Sequence, residues 1–308
     1  MRHDIIILGV FMADTTYRAP RLPKMGETLR GDGFALGPGG KGSNQAVAAA
    51  KAGGKTGFVT RIGADSFGQM AQDMWQAAGV ASLAIIDPDK PTGAACVMID
   101  STTGDNAIII APGSAEALCP ADLMGLRDKI EVAKIFLTQL EQPIAAAEEG
   151  LRIARGADVT TILNPAPAAP LSDELLELCD WITPNETEAE LLTGLKVTDP
   201  ASATKAAEAL IKRGVGGVVV TLGGAGALVH DGQTATHIPA IHAGDVAETT
   251  GAGDAFNGGF AAALADGLSL QDALRFATAT AALSVTRQGA AASMPERAEI
   301  DALLASQE

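Results

Sequence analysis

Aromatic side chains are scarce in this 308-residue chain, which has one Tyr, two Trp and eight Phe. Gripping a nucleoside base usually takes an aromatic platform, so the shortage argues against such an acceptor. Cysteine is sparse too. Cys96, Cys119 and Cys179 lie far apart with no CxxC spacing; they read as reduced, mostly buried thiols of a cytoplasmic protein. His3, His230, His237 and His242 show no zinc-ligand spacing. Positive charge is in deficit: 22 Lys and Arg against 37 Asp and Glu leave a net charge of −15. That balance argues against tracking a nucleic-acid backbone or an anionic membrane. It leaves room for a nucleotide pocket, which needs only local donors and a cation. Long apolar runs are missing as well. The run over residues 5–13 follows Asp4 and stops at Asp14, as a strand does and a signal peptide does not. No run reaches membrane-spanning length.

What is present is a rhythm. Residues 4–10, DIIILGV, form a continuous apolar run rich in β-branched residues, the pattern of a strand covered on both faces. An irregular stretch follows, with short strands expected between residues 25 and 36. Residues 37–54, GPGGKGSNQAVAAAKAGG, open on glycines, continue as an Ala-rich helix and stop at paired glycines. Strands are expected over 92–99 and 106–111, around the turn signal STTGD. From residue 132 strands and helices alternate: AKIFLTQ, a helix over 144–155, DVTTILN, CDWITP, helices over 186–193 and 201–213, then GGVVVTLG. ALVHDGQTATHI reads as a hairpin before a mainly helical remainder. The alternation predicts an α/β fold, a doubly wound and mostly parallel sheet with helices on both faces. Segments at about 12–38 and 92–111 are expected to add a small β-sheet lid to a single domain spanning residues 1–308.

In such a sheet, ligands bind beyond the carboxyl ends of the strands. Polar clusters fall at those ends: Asp14, residues 39–44, Glu141, Asn164, residues 185–188, 221–226 and 251–254. The stretch ETTGAGDAFNGGF, residues 248–260, sets Gly251, Ala252 and Gly253 before Asp254, where an apolar helix pattern begins. The first N–H groups of a helix lack intrahelical partners and carry partial positive charge. Small residues there let a phosphate come close, and a first-turn carboxylate can take a proton from a hydroxyl. The plainer alternative is a tight turn before an acidic helix start. GGKGSN fails the Walker pattern, because Gly42 stands where Ser or Thr must follow GK, and the first strand does not lead into GxGxxG. Lys41 and Asn44 fit better as donors to a neutral polyol; a glycine turn with a solvated Lys is the alternative. PNETEAE puts Asn185 and Glu188 three residues apart on one face of a first helical turn. Such a pair can orient the water shell of a magnesium ion, or be an N-cap followed by solvated acids.

Taken in order, GGKGSNQAVAA, QLE (139–141), LNPAPA, TPNETEAE, TLGGAGA, ETTGAGDAFNGGF and VTRQGAAASMP resemble the PfkB carbohydrate kinase family. The likeness runs nearly end to end and is strongest to its ribokinase branch. It implies a ribokinase-like fold and an ATP-dependent kinase acting on the 5-hydroxyl of D-ribose. By that resemblance Asp254 is the catalytic base, and Gly251, Ala252 and Gly253 form the anion hole. Met12, Asp14, Gly40, Lys41, Gly42, Ser43, Asn44 and Glu141 surround the sugar. Asn185, Thr221, Leu222, Gly223, Gly224, Ala225, Gly226, Gly253 and Thr278 line the ATP site. Glu188 acts on the Mg²⁺ shell. Glu248, Thr250, Ser284, Arg287, Gly289 and Ser293 surround an activating monovalent cation, usually K⁺. The lid covers the sugar and also forms a homodimer contact. Two positions depart from the pattern. Met12 stands where ribokinases usually carry Asn, two residues before Asp14, whereas deoxyribokinase-like chains carry Met, so 2-deoxyribose is the alternative substrate. Glu248 replaces the usual Asp at the cation site. Another PfkB sugar kinase and a non-catalytic sugar or nucleotide sensor are further alternatives; the intact 251–254 motif speaks against the sensor.

Overall fold

Strand Ile5–Leu8 has no polar side chain, and the fold buries all four of its residues completely. The structure is a computed structural model that describes residues 3–307. Ile5–Leu8 pairs in parallel with Thr56–Val59 on one side and with Ile135–Thr138 on the other. The nine-stranded sheet runs, edge to edge, Ala81–Ser82, Thr56–Val59, Ile5–Leu8, Ile135–Thr138, Thr160–Leu163, Trp181–Ile182, Gly217–Thr221, Ala227–His230 and Ala235–Ile238. All pairings as far as Gly217–Thr221 are parallel, and the hairpin at the end is antiparallel.

Side chains two apart on a strand share a face, and two cores divide accordingly. Ile5, Ile7, Phe58, Leu137, Ile162 and Val219 face helices Lys41–Lys51, Ala252–Ala265 and Leu270–Ser284. Ile6, Leu8, Val59, Phe136, Leu163 and Val220 face helices Ile144–Arg155 and Pro200–Lys212. The doubly wound, ribokinase-like α/β fold is thus present, with each large buried side chain contributing about 1.5–3 kcal/mol.

A separate four-stranded sheet has the order Gly33–Gly39, Met12–Ala19, Ala94–Asp100, Asn106–Ala111. Met12–Ala19 is one of its two inner strands; it falls in the 12–38 segment expected to join the lid, although the residues themselves read as irregular. Its MADTTYRA has neither alternation nor an apolar run, because this thin sheet leaves most of the strand half-buried or exposed. Met12 and Asp14 therefore ride on the lid and not on the end of the first strand. Residues 25–32, expected to include strand, form turns and coil. TGFVTRIG, residues 56–63, reads as one strand but divides into Thr56–Val59 and Arg61–Gly63, the second pairing in parallel with Ile85–Asp87. Of the three free thiols only Cys179 is buried; Cys96 and Cys119 are half-exposed, which corrects the expectation of mostly buried thiols.

Candidate active site

The glycine run before helix Lys41–Lys51 exists because three backbones crowd there. At Gly39 a Cβ would fall 2.1 Å from Asp14 Oδ2. Gly40 has φ +90°, and a Cβ on it would lie 2.5 Å from the Val10 carbonyl. At Gly42 it would lie 2.6 Å from Gly9 Cα. With these side chains absent, the helix start comes against the end of the first strand, and Asp14 lies over the loop.

Helix Ala252–Ala265 begins at Gly251, whose φ of +81° puts it in the left-handed region. The helix crosses Lys41–Lys51 closely: a Cβ on Gly258 would lie 2.5 Å from Ala48 Cβ and 2.7 Å from the Gln45 carbonyl oxygen. This contact presents Asp254, one turn earlier, to the first turn of the other helix. Asn44 Nδ2 donates to Asp254 Oδ2 at 3.0 Å, and Gln45 Nε2 donates to Oδ1 at 3.0 Å. Asp254 is buried, and burial raises its pKa; Lys41, then the Gln45 and Asn44 hydrogen bonds, oppose the rise.

Two further carboxylates share this field. Burial pushes Glu141 up to about 7, against the Lys41 N–H that donates to Oε2 at 2.7 Å, while the charges of Asp254 and Asp14 add to the rise. Burial raises Asp14 to about 6. The structure thus brings Asp14, Lys41, Asn44, Glu141 and Asp254 together. Asn44 Oδ1 is buried with no hydrogen-bond donor, an open acceptor beside Asp254. Ser43 lies differently: it is fully buried and its Oγ accepts from Trp75 Nε1 at 2.9 Å, a packing role. Met12 is buried with Val10 and Ala115, its sulfur against Gly93.

Asn185 is the N-cap of helix Glu186–Thr193. Its side chain accepts from the Glu188 N–H at 2.8 Å, and Glu188 Oε2 accepts from the Asn185 N–H at 2.9 Å. Burial raises the Glu188 pKa, and the fields of Lys41 and Asp254 reach it. Thr221 ends its strand and bridges to Asn185. Beyond it Gly223 and Gly224, like Gly253, face open space with nothing within 4 Å of where a side chain would start. At the start of helix Ala252–Ala265 the Ala252 N–H donates to the Thr249 carbonyl at 3.2 Å, while the Gly251 and Gly253 N–H groups make no backbone bond among the described residues, and bare backbone of this kind suits a phosphate. Gly226 has no such freedom: a Cβ there would meet the Ile238 carbonyl at 2.1 Å. Leu222 is buried, Ala225 is exposed, and the Thr278 hydroxyl donates to Leu274 O at 2.8 Å.

In the expected cation loop, Glu248 Oε2 accepts from the Gly289 N–H at 2.9 Å, and that bond, with the Thr250 hydroxyl, holds its pKa down. The side chains of Ser284, Arg287 and Ser293 do not join it. Ser284 and Ser293 donate to Ala281 O and Ala290 O, each at 2.8 Å, and Arg287 pairs with Glu299. Among the described residues no cluster of three or more His, Cys, Asp or Glu is arranged to hold a metal.

Of the buried amides around Asp254, Asn164 was marked by its place at a strand end, whereas no role was expected of Gln45, Gln139 and Asn257. A separate open cavity of about 460 Å³ lies at the opposite, amino ends of the strands, lined in part by Arg155, Asp158, Asp180 and Trp181. Asp180 there is engaged by Arg155 and by the Thr161 N–H at 2.9 Å, so its carboxylate is not free for chemistry.

A buried carboxylate beside an open helix N-terminus, with a polar hydroxyl-binding rim, is a site for transferring a phosphoryl group to an alcohol. Residues 2–297 match the pfkB family of carbohydrate kinases, and the chain belongs to that family. It is 40% identical over 300 residues to the ribokinase of Haemophilus influenzae, covering 97% of each chain. The deoxyribokinase of Salmonella typhi is 33% identical over 294 residues, covering 95% of each. Among solved structures, Arabidopsis thaliana ribokinase complexed with ribose and ATP superposes with a TM-score of 0.91, at 35% identity and 99% coverage of both chains.

Proposed function

We propose that this chain is an ATP-dependent ribose kinase that transfers the γ-phosphoryl group of ATP to the 5-hydroxyl of D-ribose. The observation that carries it is Asp254: a buried carboxylate, held by two amide donors, at the mouth of an open helix N-terminus. A base needs a pKa near the working pH, and burial supplies the upward shift. The sugar sits among Asp14, Lys41, Asn44 and Glu141, where Asn44 Oδ1 and the Asp14 carboxylate accept its hydroxyl protons. The N–H groups of Gly251 and Gly253, which make no backbone bond among the described residues, receive the charge of the transferring phosphoryl group. Glu188, whose second carboxylate oxygen is outside the capping bond, would hold Mg²⁺ through water, and the ion would supply positive charge to the phosphates. Glu248, at the loop it shares with Gly289, is the residue that would hold an activating monovalent cation, K⁺ by this reading, which would supply positive charge there. The lid closes over the sugar and excludes water as a competing acceptor. On the lid face turned away from Asp14, the apolar side chains Tyr17, Phe34, Leu36 and Ile109 are 46–63% exposed and form the homodimer contact. Free thiols suit the cytoplasm.

One observation favours a second substrate. Met12 puts a thioether at the lid hinge, packed on Val10, Ala115 and Gly93, where it offers a sugar hydroxyl no good partner. A coupled ADP-release assay decides, run with ribose and 2-deoxyribose on the wild type and on Met12→Asn. Ribose is expected to give the higher kcat/KM, and Met12→Asn to raise the ratio further. Preference for 2-deoxyribose would reassign the substrate, and no ADP release with any sugar would end the kinase reading.

A further inference from the structure

Gln45 and Gln139 are fully buried, and no motif assigns either of them chemistry. Gln45 follows Asn44 in helix Lys41–Lys51; Gln139 comes directly after strand Ile135–Thr138. The Gln45 Nε2 group donates to Asp254 Oδ1 and also to Asn164 Oδ1, each at 3.0 Å. An ionised carboxylate can only accept, so Gln45 must turn its nitrogen to Asp254 and its carbonyl away. That carbonyl accepts from Gln139 Nε2 at 2.5 Å. The remaining atom, Gln139 Oε1, has no donor and lies against the backbones of Gly9 and Gly42. Leaving a buried carbonyl unpaired costs stability. Reversing the Gln139 amide would face two carbonyls at Gln45, so the orphan atom is the consequence of fixing the direction of the chain of amides. Gly9 and Gly42 make room for it: a Cβ on Gly9 would lie 2.4 Å from Gln139 Oε1.

We propose that Gln139 and Gln45 are positioning residues for Asp254: Gln139 locks the Gln45 amide, which holds Oδ1 and leaves Oδ2, beside Asn44, to meet the sugar hydroxyl. Resting on the assignment of Asp254 as base, this gives the pair two tasks. They fix the direction in which the carboxylate points. They also favour its charged form against burial, together with Asn44 and the field of Lys41, while Glu141 and Glu188 are the other carboxylates coupled to it.

The test is kcat at saturating ribose and ATP from pH 5 to 9 for the wild type, Gln45→Leu, Gln139→Leu and the double variant, with ribose affinity by calorimetry. Gln45→Leu is expected to lower kcat about tenfold and to move its acid limb up by about one pH unit. Ribose affinity should stay within about threefold. Gln139→Leu, which removes no bond to Asp254, should shift the limb the same way by less. The double variant should match Gln45→Leu alone, because Gln139 acts through Gln45. An unshifted acid limb in Gln45→Leu, or losses that multiply in the double variant, overturns the proposal. Should Gln45→Leu not fold, an unshifted limb in Gln139→Leu overturns it equally. Asp254→Asn in the same assay separates the two levels. If it keeps more than about a tenth of kcat, the base assignment fails; if it is inactive while Gln45→Leu keeps the wild-type profile, only the positioning role fails.

Discussion

Replacing Gly258 by Ala tests whether the crossing of helices Lys41–Lys51 and Ala252–Ala265 sets the reactive carboxylate. The new Cβ would lie 2.5 Å from Ala48 Cβ, 2.7 Å from Gln45 O and 2.8 Å from Ala49 N. Carbon atoms are at rest about 3.5–4.0 Å apart, so the helices must separate by roughly 1 Å. Two of the three obstructing atoms are backbone and cannot rotate away. Overpacking of this kind costs about 1–3 kcal/mol, and the helix propensity of Ala over Gly returns about 1 kcal/mol. A net loss of about 0–2 kcal/mol is expected in urea denaturation. The larger effect should fall on activity. Asp254 stands one turn from Gly258, and its 3.0 Å bonds to Asn44 and Gln45 cross the same interface. Stretched by about 1 Å they fall outside hydrogen-bonding range, and a displacement of that size can cost about 100-fold in rate. Steady-state assay of Gly258→Ala should therefore show kcat down about 10–100-fold. Wild-type kcat together with a wild-type denaturation midpoint would refute the reasoning.

Two other outcomes follow from the carboxylates. Glu141 titrates at about 7 when folded against 4.5 as a free side chain, so its stabilising contribution is complete below about pH 4.5 and is lost as pH rises through 7. Thermal unfolding of the ligand-free protein should show stability declining from pH 5 to 8, and Glu141→Gln should flatten the decline; an unchanged slope would count against the burial argument. At Glu188, Gln keeps a capping acceptor where Ala does not. Glu188→Gln should hold its stability yet need more Mg²⁺ for half-maximal rate, whereas Glu188→Ala should also lose about 0.5–2 kcal/mol; identical Mg²⁺ dependence in wild type and Glu188→Gln would remove Glu188 from the metal shell.

The parallel sheet was legible because IIIL, IFLT and GVVVT are unbroken apolar runs, and such runs have few other places to go. The reactive end was legible because Gly-Ala-Gly-Asp before a helix states its chemistry in four adjacent residues. What stayed hidden depends on contacts distant in sequence. Gln45 meets Asp254 209 residues away and Gln139 94 residues away, and a neutral amide carries no pattern that marks it. Strand Met12–Ala19 was expected only as part of a 12–38 lid segment, and its extent was hidden for another reason: its stability comes from pairing with Gly33–Gly39 and Ala94–Asp100, not from an apolar face of its own. The expected cation loop was only half legible. Glu248 and Gly289 do meet, but the hydroxyls of Ser284 and Ser293 turn to their own backbone, a choice that spacing cannot reveal.

The most direct measurement takes Asp254→Asn, which keeps the size and polarity of the side chain and removes the proton acceptor. Ribose binding by calorimetry should stay within a few-fold of wild type, while kcat falls about 10²–10⁴-fold. A variant that binds ribose normally and turns over at more than about a tenth of the wild-type rate would contradict the account.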